Sequence, residues 1–321
     1  MNSENIDFIN ALKSEDLRMI EQSPKTDIHN HATRGANINY VLGHKVDEIP
    51  ECPPKFDSLE SMQDWYNDHI KPHCIGLEGF ERRIKGAFLQ AKNDGIVALV
   101  LSLSIDHCQH YDYDFSKYVN RISEIHGEVA PNVDFYPELS YTRTPKVDHV
   151  LETIDEILDL DFFRSIDLKG SEADSVDNFI EIFRKAKMKG LLLKAHVGEF
   201  GSAESIIDVV NKLNLDEVHH GIRAIESHKV MEFLKERQIS LNICPTSNVI
   251  LDNIEDYEQH PIGKLHRYGI PVTINSDDMV IFNKSVSEEY LKLYQAGVLT
   301  AEELDEIRKI GLNNLSKLKK N

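Results

Sequence analysis

Residues 191–199 read Leu-Leu-Leu-Lys-Ala-His-Val-Gly-Glu. The run 191–197 has strand length and is nearly continuous in apolar residues, as buried parallel strands are. It ends on a histidine, and a glutamate follows three residues later. Upstream, Phe179, Ile182, Phe183 and Ala186 fall on one helical face, with Gly190 as a stop. Downstream, Ile206, Val210 and Leu213 repeat the helical spacing. Similar strand-length runs lie near 26–29, 96–105, 133–140, 165–168, 217–220, 240–244 and 271–275. Helical patterns separate them, among them Phe80, Ile84 and Phe88, and Val230, Phe233 and Leu234. Thr300 with Glu303 reads as a capping box opening the last helix. Eight strands alternating with helices in a chain of 321 residues predict an α/β fold, a (β/α)8 TIM-type barrel forming one domain over 1–321. The competing doubly wound sheet lacks its G-x-G-x-x-G mark after the first strand.

Residues 32–72 make a long excursion after the first strand, predicted as a helical lid over the active site. Phe56, Leu59, Met62 and Trp65 recur every three residues there. That spacing predicts a helix with one apolar face, either packed on the barrel rim or gating a flat ring.

A net charge of -18 disfavours a nucleic-acid polymer as partner and does not penalise a small neutral ligand. With 41% hydrophobic and 28% charged residues the chain can build a packed core. Cys52, Cys74, Cys108 and Cys244 are scattered, with no C-x-x-C pair for a zinc ribbon or redox motif. Residues 1–15 show no apolar leader segment and no run of 18 apolar residues occurs, so a soluble, cytoplasmic protein with no membrane partner is expected. The N-x-S patterns at Asn283 and Asn314 carry little weight without a leader. Oligomeric state is left open.

The polar residues sit where a barrel enzyme builds its site. His29 and His31 flank Asn30 at the end of the first strand, and residues two apart on a strand face the same side. His196 ends the fifth strand with Glu199 just beyond, His219, His220 and Gly221 end the sixth, and Asp277 and Asp278 end the eighth. All lie at the C-terminal ends of strands. Two first-strand histidines, a fifth-strand histidine and an eighth-strand carboxylate make an N3O set suited to zinc with one position open for water. Zinc there lowers a water's pKa to about 7. Alone, an H-x-H or an Asp-Asp pair is weak; their coincidence on successive strand ends carries the reading. His126-Gly127-Glu128 matches half of a cytidine-deaminase signature, but P-C-x-x-C is missing, so it reads as structural in a helix-to-strand connection. H-E-x-x-H is absent too.

The ordered set Asp27-Ile28-His29-Asn30-His31, Asp167-Leu168-Lys169-Gly170-Ser171-Glu172, His196-Val197-Gly198-Glu199, His220-Gly221, Cys244-Pro245-Thr246-Ser247-Asn248 and Ser276-Asp277-Asp278 spans most of the chain. It resembles the adenosine deaminase family of the amidohydrolase superfamily. The resemblance implies that His29, His31, His196 and Asp277 bind one Zn2+ per chain. It implies Glu199 as proton donor to the ring nitrogen beside the reacting carbon, and His220 as the group that orients the water and helps deprotonate it. Asp277 serves catalysis as well as the metal. His31, Thr33, Gly170 and Asp278 contact substrate, Gly170 through its backbone on the pyrimidine edge and Asp278 on the imidazole edge. The implied reaction is deamination of adenosine or 2′-deoxyadenosine to the inosine product plus ammonia. Protonating the ring nitrogen lets an aromatic carbon accept a nucleophile, which needs Glu199 to stay protonated near pH 7.

Three positions depart from the family pattern. Thr33, followed by Arg34, stands where an aspartate usually contacts the ribose 5′-hydroxyl. Met279 replaces a proline and is expected to reshape the purine side, and Lys169 replaces a common alanine. They open the alternative of another 6-aminopurine, such as adenine, AMP or a 5′-modified adenosine, with Arg34 as a phosphate contact. A binuclear amidohydrolase using Lys169 between two metals is a further alternative. A non-catalytic purine-binding protein finds no support, since every acid-base residue is present.

Overall fold

A computed structural model describes residues 7–143 and 147–319. Its eight strands are β1 (Lys25–Asp27), β2 (Ile96–Ser104), β3 (Asp134–Thr142), β4 (Ser165–Lys169), β5 (Leu192–Val197), β6 (Glu217–His220), β7 (Ser240–Ile243) and β8 (Val272–Ile274). They lie in one sheet in chain order, each parallel to the next. The sheet comes round on itself. Asp277 donates its backbone N–H to the His29 carbonyl at 3.1 Å, and Asn30 forms a parallel bridge with Asp277. The (β/α)8 barrel expected from the alternation is what the chain forms. Its first and last strands are shorter than their apolar runs, because the backbone leaves the ladder just where the site residues begin.

Strand alternation sorts the side chains of β5. Leu193, Ala195 and Val197 enter the core between barrel and helices, while Lys194 and His196 point inside. At the bottom of the barrel Ala98, Val100 and Tyr136 meet Leu315 and Leu318 of the last helix, Ala301–Leu318. Above them lies a charged layer that a reading of continuous apolar runs passes over. Lys194 Nζ is 2.9 Å from Glu138 Oε2 and 3.8 Å from Glu217 Oε2, and it donates to the Ile28 carbonyl at 3.3 Å. An unpaired charge there would cost several kcal/mol, on the order of the penalty for any buried ion, so the layer holds only as a set. The site occupies the next layer up.

The excursion after β1 builds a second apolar cluster. Val41, Leu42, Phe56, Met62, Tyr66 and Ile70 pack with Leu251, Val280, Ile281 and Phe282. Phe56 precedes its helix, Leu59–His69, and ties the loop to the barrel by donating its N–H to the Ile250 carbonyl at 2.7 Å. The buried stripe is Met62 and Tyr66, four residues apart, with Trp65 only partly buried. A spacing of three drifts off a helical face, and 3.6 residues per turn favours i to i+4. The helix both packs on the rim and lines the cavity below.

The Thr300–Glu303 capping box is present. His126 lies in the last turn of helix Phe115–Val129 rather than in the connection after it; its Nε2 meets the Val133 carbonyl at 2.8 Å, a structural role. All four cysteines are free thiols. Among the described residues no helix is long and apolar enough to cross a membrane. Residues 1–6, part of the stretch read for a leader, lie outside the described residues.

Candidate active site

Of the nine residues singled out from the sequence, eight line one cavity of about 1160 Å³: His31, Thr33, Gly170, His196, Glu199, His220, Asp277 and Asp278. His29 is buried beneath them. Sharp strand exits aim these groups. Gly170 after β4 has φ 101°, and a Cβ there would stand 3.0 Å from Thr142 Cγ2. His220 (φ 62°) and Asp277 (φ 59°) adopt left-handed backbone although neither is glycine. Such strain persists only where the surroundings hold it, and it concentrates at functional sites.

The histidines are held from behind. His29 Nδ1 lies 3.0 Å from the Asn242 carbonyl and 3.3 Å from Cys244 Sγ, while His196 Nδ1 lies 3.1 Å from Asp167 Oδ1. A carbonyl and a carboxylate can only accept, so each Nδ1 carries the proton and each Nε2 presents a lone pair. Those two Nε2 atoms face each other at 3.1 Å. Two lone pairs at that distance repel unless a cation sits between or beside them. Asp277 Oδ1 is 3.2 Å from His31 Nε2 and 3.9 Å from His29 Nε2. Burial, and then mutual repulsion among the histidines, push His29 and His196 well below the usual imidazole range, so protonation does not relieve the clash. The donor set therefore fits a divalent metal, with outer partners that fix each ring as metal sites require.

Glu199 is buried, with Oε2 3.4 Å from His220 Nε2 and Oε1 without a partner. Burial, and then Asp277, Glu172 and Asp278, raise its pKa well above the usual carboxylate range. These surroundings favour its protonated form. Its loop is pinned by Glu172, whose carboxylate accepts from the N–H groups of Gly198, Glu199 and Phe200 at 2.7, 2.9 and 2.8 Å.

A directional relay settles the proton on His220. Ile262 N–H donates to His260 Nδ1 at 3.2 Å, so His260 carries its proton on Nε2 and donates to Asn248 Oδ1 at 3.3 Å. Asn248 Nδ2 then donates to His220 Nδ1 at 3.2 Å. His220, pushed down to about 3 chiefly by burial, is neutral with its proton on Nε2, facing Glu199 and Asp277.

Arg34 is committed elsewhere than expected. Its guanidinium donates to Asp278 Oδ2 at 2.7 Å and to Gln63 Oε1 at 2.6 Å, and lies 4.1 Å from the centre of the Tyr66 ring. The pairing leaves the buried Asp278 Oδ1 without a partner. Lys169 Nζ is 3.4 Å from His31 Nδ1, behind the nitrogen that faces Asp277. Met279, expected on the purine side, is instead buried against a water-sized void lined by Asp27, Asn30 and Gly35. Sequence reasoning quoted Asp167, Glu172 and Asn248 within motifs without giving them these tasks; their positions beside the ligands and the acid were the available signal.

The family model described as adenosine deaminase matches residues 139–317. A putative adenosine/adenine deaminase of Treponema pallidum is 31% identical over 285 residues, covering 88% of this chain and 95% of the relative. An adenine deaminase of Vibrio parahaemolyticus is 32% identical over 300 residues, covering 89% and 88%. Among solved structures, an N6-methyl-AMP deaminase of Arabidopsis thaliana superposes with a TM-score of 0.78 at 18% identity, covering 95% of each chain, which is agreement of fold. With a family match over more than half its length and a relative above 30% identity along nearly all of it, the chain belongs to the adenosine deaminase family.

Proposed function

We propose that this chain hydrolytically deaminates a 6-aminopurine, and that His29, His31, His196 and Asp277 hold one zinc ion. Free adenosine, the first expectation, gives way to the other 6-aminopurines. Both relatives carry adenine in their names, and Thr33 stands in place of the usual ribose-contacting aspartate. The observation that carries the reading is the pair of facing Nε2 lone pairs with the buried Glu199 carboxyl group by the same cavity.

When bound, the metal lowers the pKa of a water in its open position and so supplies the nucleophile. Glu199 gives its proton to the ring nitrogen next to the amino-bearing carbon. His220 donates from Nε2 to the attacking oxygen and orients it. Because that nitrogen already carries a proton, His220 does not take one; the water's proton passes to Asp277 Oδ2, 3.8 Å from His220 Nε2. On collapse of the tetrahedral adduct, ammonia departs with the proton from Asp277, and Glu199 recovers one from the new 6-oxygen. Asp278 Oδ1 hydrogen-bonds the imidazole edge of the purine, and Gly170 and Thr33 line the remaining edge.

Lys169 lies on the far side of His31 from the facing nitrogens, which favours one metal over a lysine-bridged pair. An ultraviolet deamination assay on adenine, adenosine, 2′-deoxyadenosine, AMP and 5′-methylthioadenosine, with a metal count on the same sample, tests the reading. Turnover of one or more with one zinc per chain is expected. No turnover of any, or two metals per chain, would overturn it.

A further inference from the structure

We propose that the cavity wall formed by helix Gly76–Asn93 and the segment after β2 is an anion subsite centred on Arg83, which takes a phosphate monoester carried by the 6-aminopurine. The inference deepens, and rests on, the purine-deaminase reading above.

Arg83 is 8% exposed and lines the cavity. Its Nε donates to the Gly79 carbonyl at 3.2 Å and its Nη1 to the Tyr66 hydroxyl at 2.9 Å. Neither partner carries charge. Among the described residues these two are its hydrogen-bond partners; it forms no ion pair, and Nη2 has no protein partner. A buried arginine is ordinarily matched by a carboxylate, so this guanidinium has an unmet demand for an anion.

The carboxylates of the cavity do not meet that demand. Asp278 is held by Arg34, Glu172 by three backbone amides, Asp277 by imidazoles, and Glu199 faces His220. Glu60 lies exposed at the mouth. On the Arg83 wall stand His107 and His110, both against Phe80, at ring distances of 5.0 and 5.3 Å. His107 Nδ1 is buried without a partner. Burial, and then the Arg83 charge, push His107 down to about 3, so it stands as a neutral donor or acceptor rather than a competing cation. The pattern suits an oxyanion with several acceptor atoms, and a guanidinium fork matches phosphate geometry.

Tyr66 places this subsite relative to the purine. Its hydroxyl contacts Arg83, and its ring face contacts Arg34, which grips Asp278. The subsite thus begins one tyrosine away from the carboxyl group on the imidazole edge. The substituent nitrogen of a purine belongs to that same five-membered ring, so a sugar phosphate leaving it can run toward Arg83. The cavity, about 1160 Å³, exceeds the roughly 300–1,000 Å³ that encloses drug-sized ligands, leaving room beyond a bare base.

The test is calorimetric binding to the zinc-loaded full chain, using 6-oxo product analogues that undergo no turnover: inosine 5′-monophosphate, inosine, hypoxanthine and inorganic phosphate. The monophosphate is expected to bind about tenfold or more tighter than inosine, the ratio one charge-assisted contact supplies, and to be displaced by inorganic phosphate. Arg83→Gln should bring the ratio near one and Arg83→Lys should keep part of it. If Arg83→Gln does not fold, Arg83→Lys carries the test and should lower the ratio without abolishing it. Equal binding of inosine and its monophosphate by the unaltered chain would overturn the subsite, as would a ratio unmoved in Arg83 variants that fold. Failure of all three purines to bind, with phosphate still bound through Arg83, would sink the purine reading and leave the anion subsite standing.

Discussion

Arg34 Nη1 and Asp278 Oδ2 meet at 2.7 Å across 244 residues of sequence, and the pair turns a surface-like arginine into a positioning group for a substrate acceptor. Arg34→Ala should weaken binding of every purine substrate, raising KM about tenfold with a smaller change in kcat, because Asp278 loses the partner that fixes its direction. Steady-state kinetics on adenine and AMP check this. A loss confined to AMP would instead make Arg34 a phosphate contact.

Glu199→Gln keeps the shape of the site and removes its acid. Turnover should fall by roughly 10²–10⁴ while the zinc content stays at one per chain. Atomic absorption and the ultraviolet assay together decide. Near-wild-type turnover would remove Glu199 from proton transfer.

The relay through His260 and Asn248 predicts a tautomer. Nitrogen NMR of the full chain should show the His220 proton on Nε2, and Asn248→Ala should mix the tautomers and cost about 10–100-fold in kcat. An unchanged His220 spectrum in that variant would sink the relay.

Glu289 gives a pH signature away from the reaction. Its carboxylate is fully buried against the Thr246 N–H, 3.2 Å from each oxygen, and burial raises its pKa to about 8. Between the usual carboxylate value and 8 the folded chain binds a proton that the unfolded chain has released. The stability this group contributes is therefore complete below about pH 4.5 and is lost as pH rises to about 8. Melting temperatures across pH 5–8 should fall less steeply for Glu289→Gln than for the unaltered chain. Parallel profiles would refute the assignment.

Much of this was legible in the chain itself, since apolar runs of strand length and polar residues at their ends are local signals. All eight strands lie within two residues of the runs expected for them, and the nine site residues gather at one end of the barrel. Contacts between distant segments were not legible. Nothing local to Arg34 announces Asp278, and nothing in Lys194 announces Glu138 and Glu217; such partners meet only when the barrel brings distant strands together. The lid register was misread by counting threes where the helix buries Met62 and Tyr66. Met279 was judged by its place in a motif, and the short helix it opens turns it away from the cavity.

The seam of the barrel carries a consequence for biogenesis. Asp277 grips the His29 carbonyl, so the first and last strands are stitched by residues next to or within the ligand set. Closing a loop that long is slow and entropically uphill. During synthesis His29 and His31 leave the ribosome early and wait, unable to form a complete coordination set, until the last strand arrives. A nascent or truncated chain therefore has no finished pocket in which to trap metal or begin chemistry. Metal uptake at the proposed site by a refolding chain would time the final zipping of the fold.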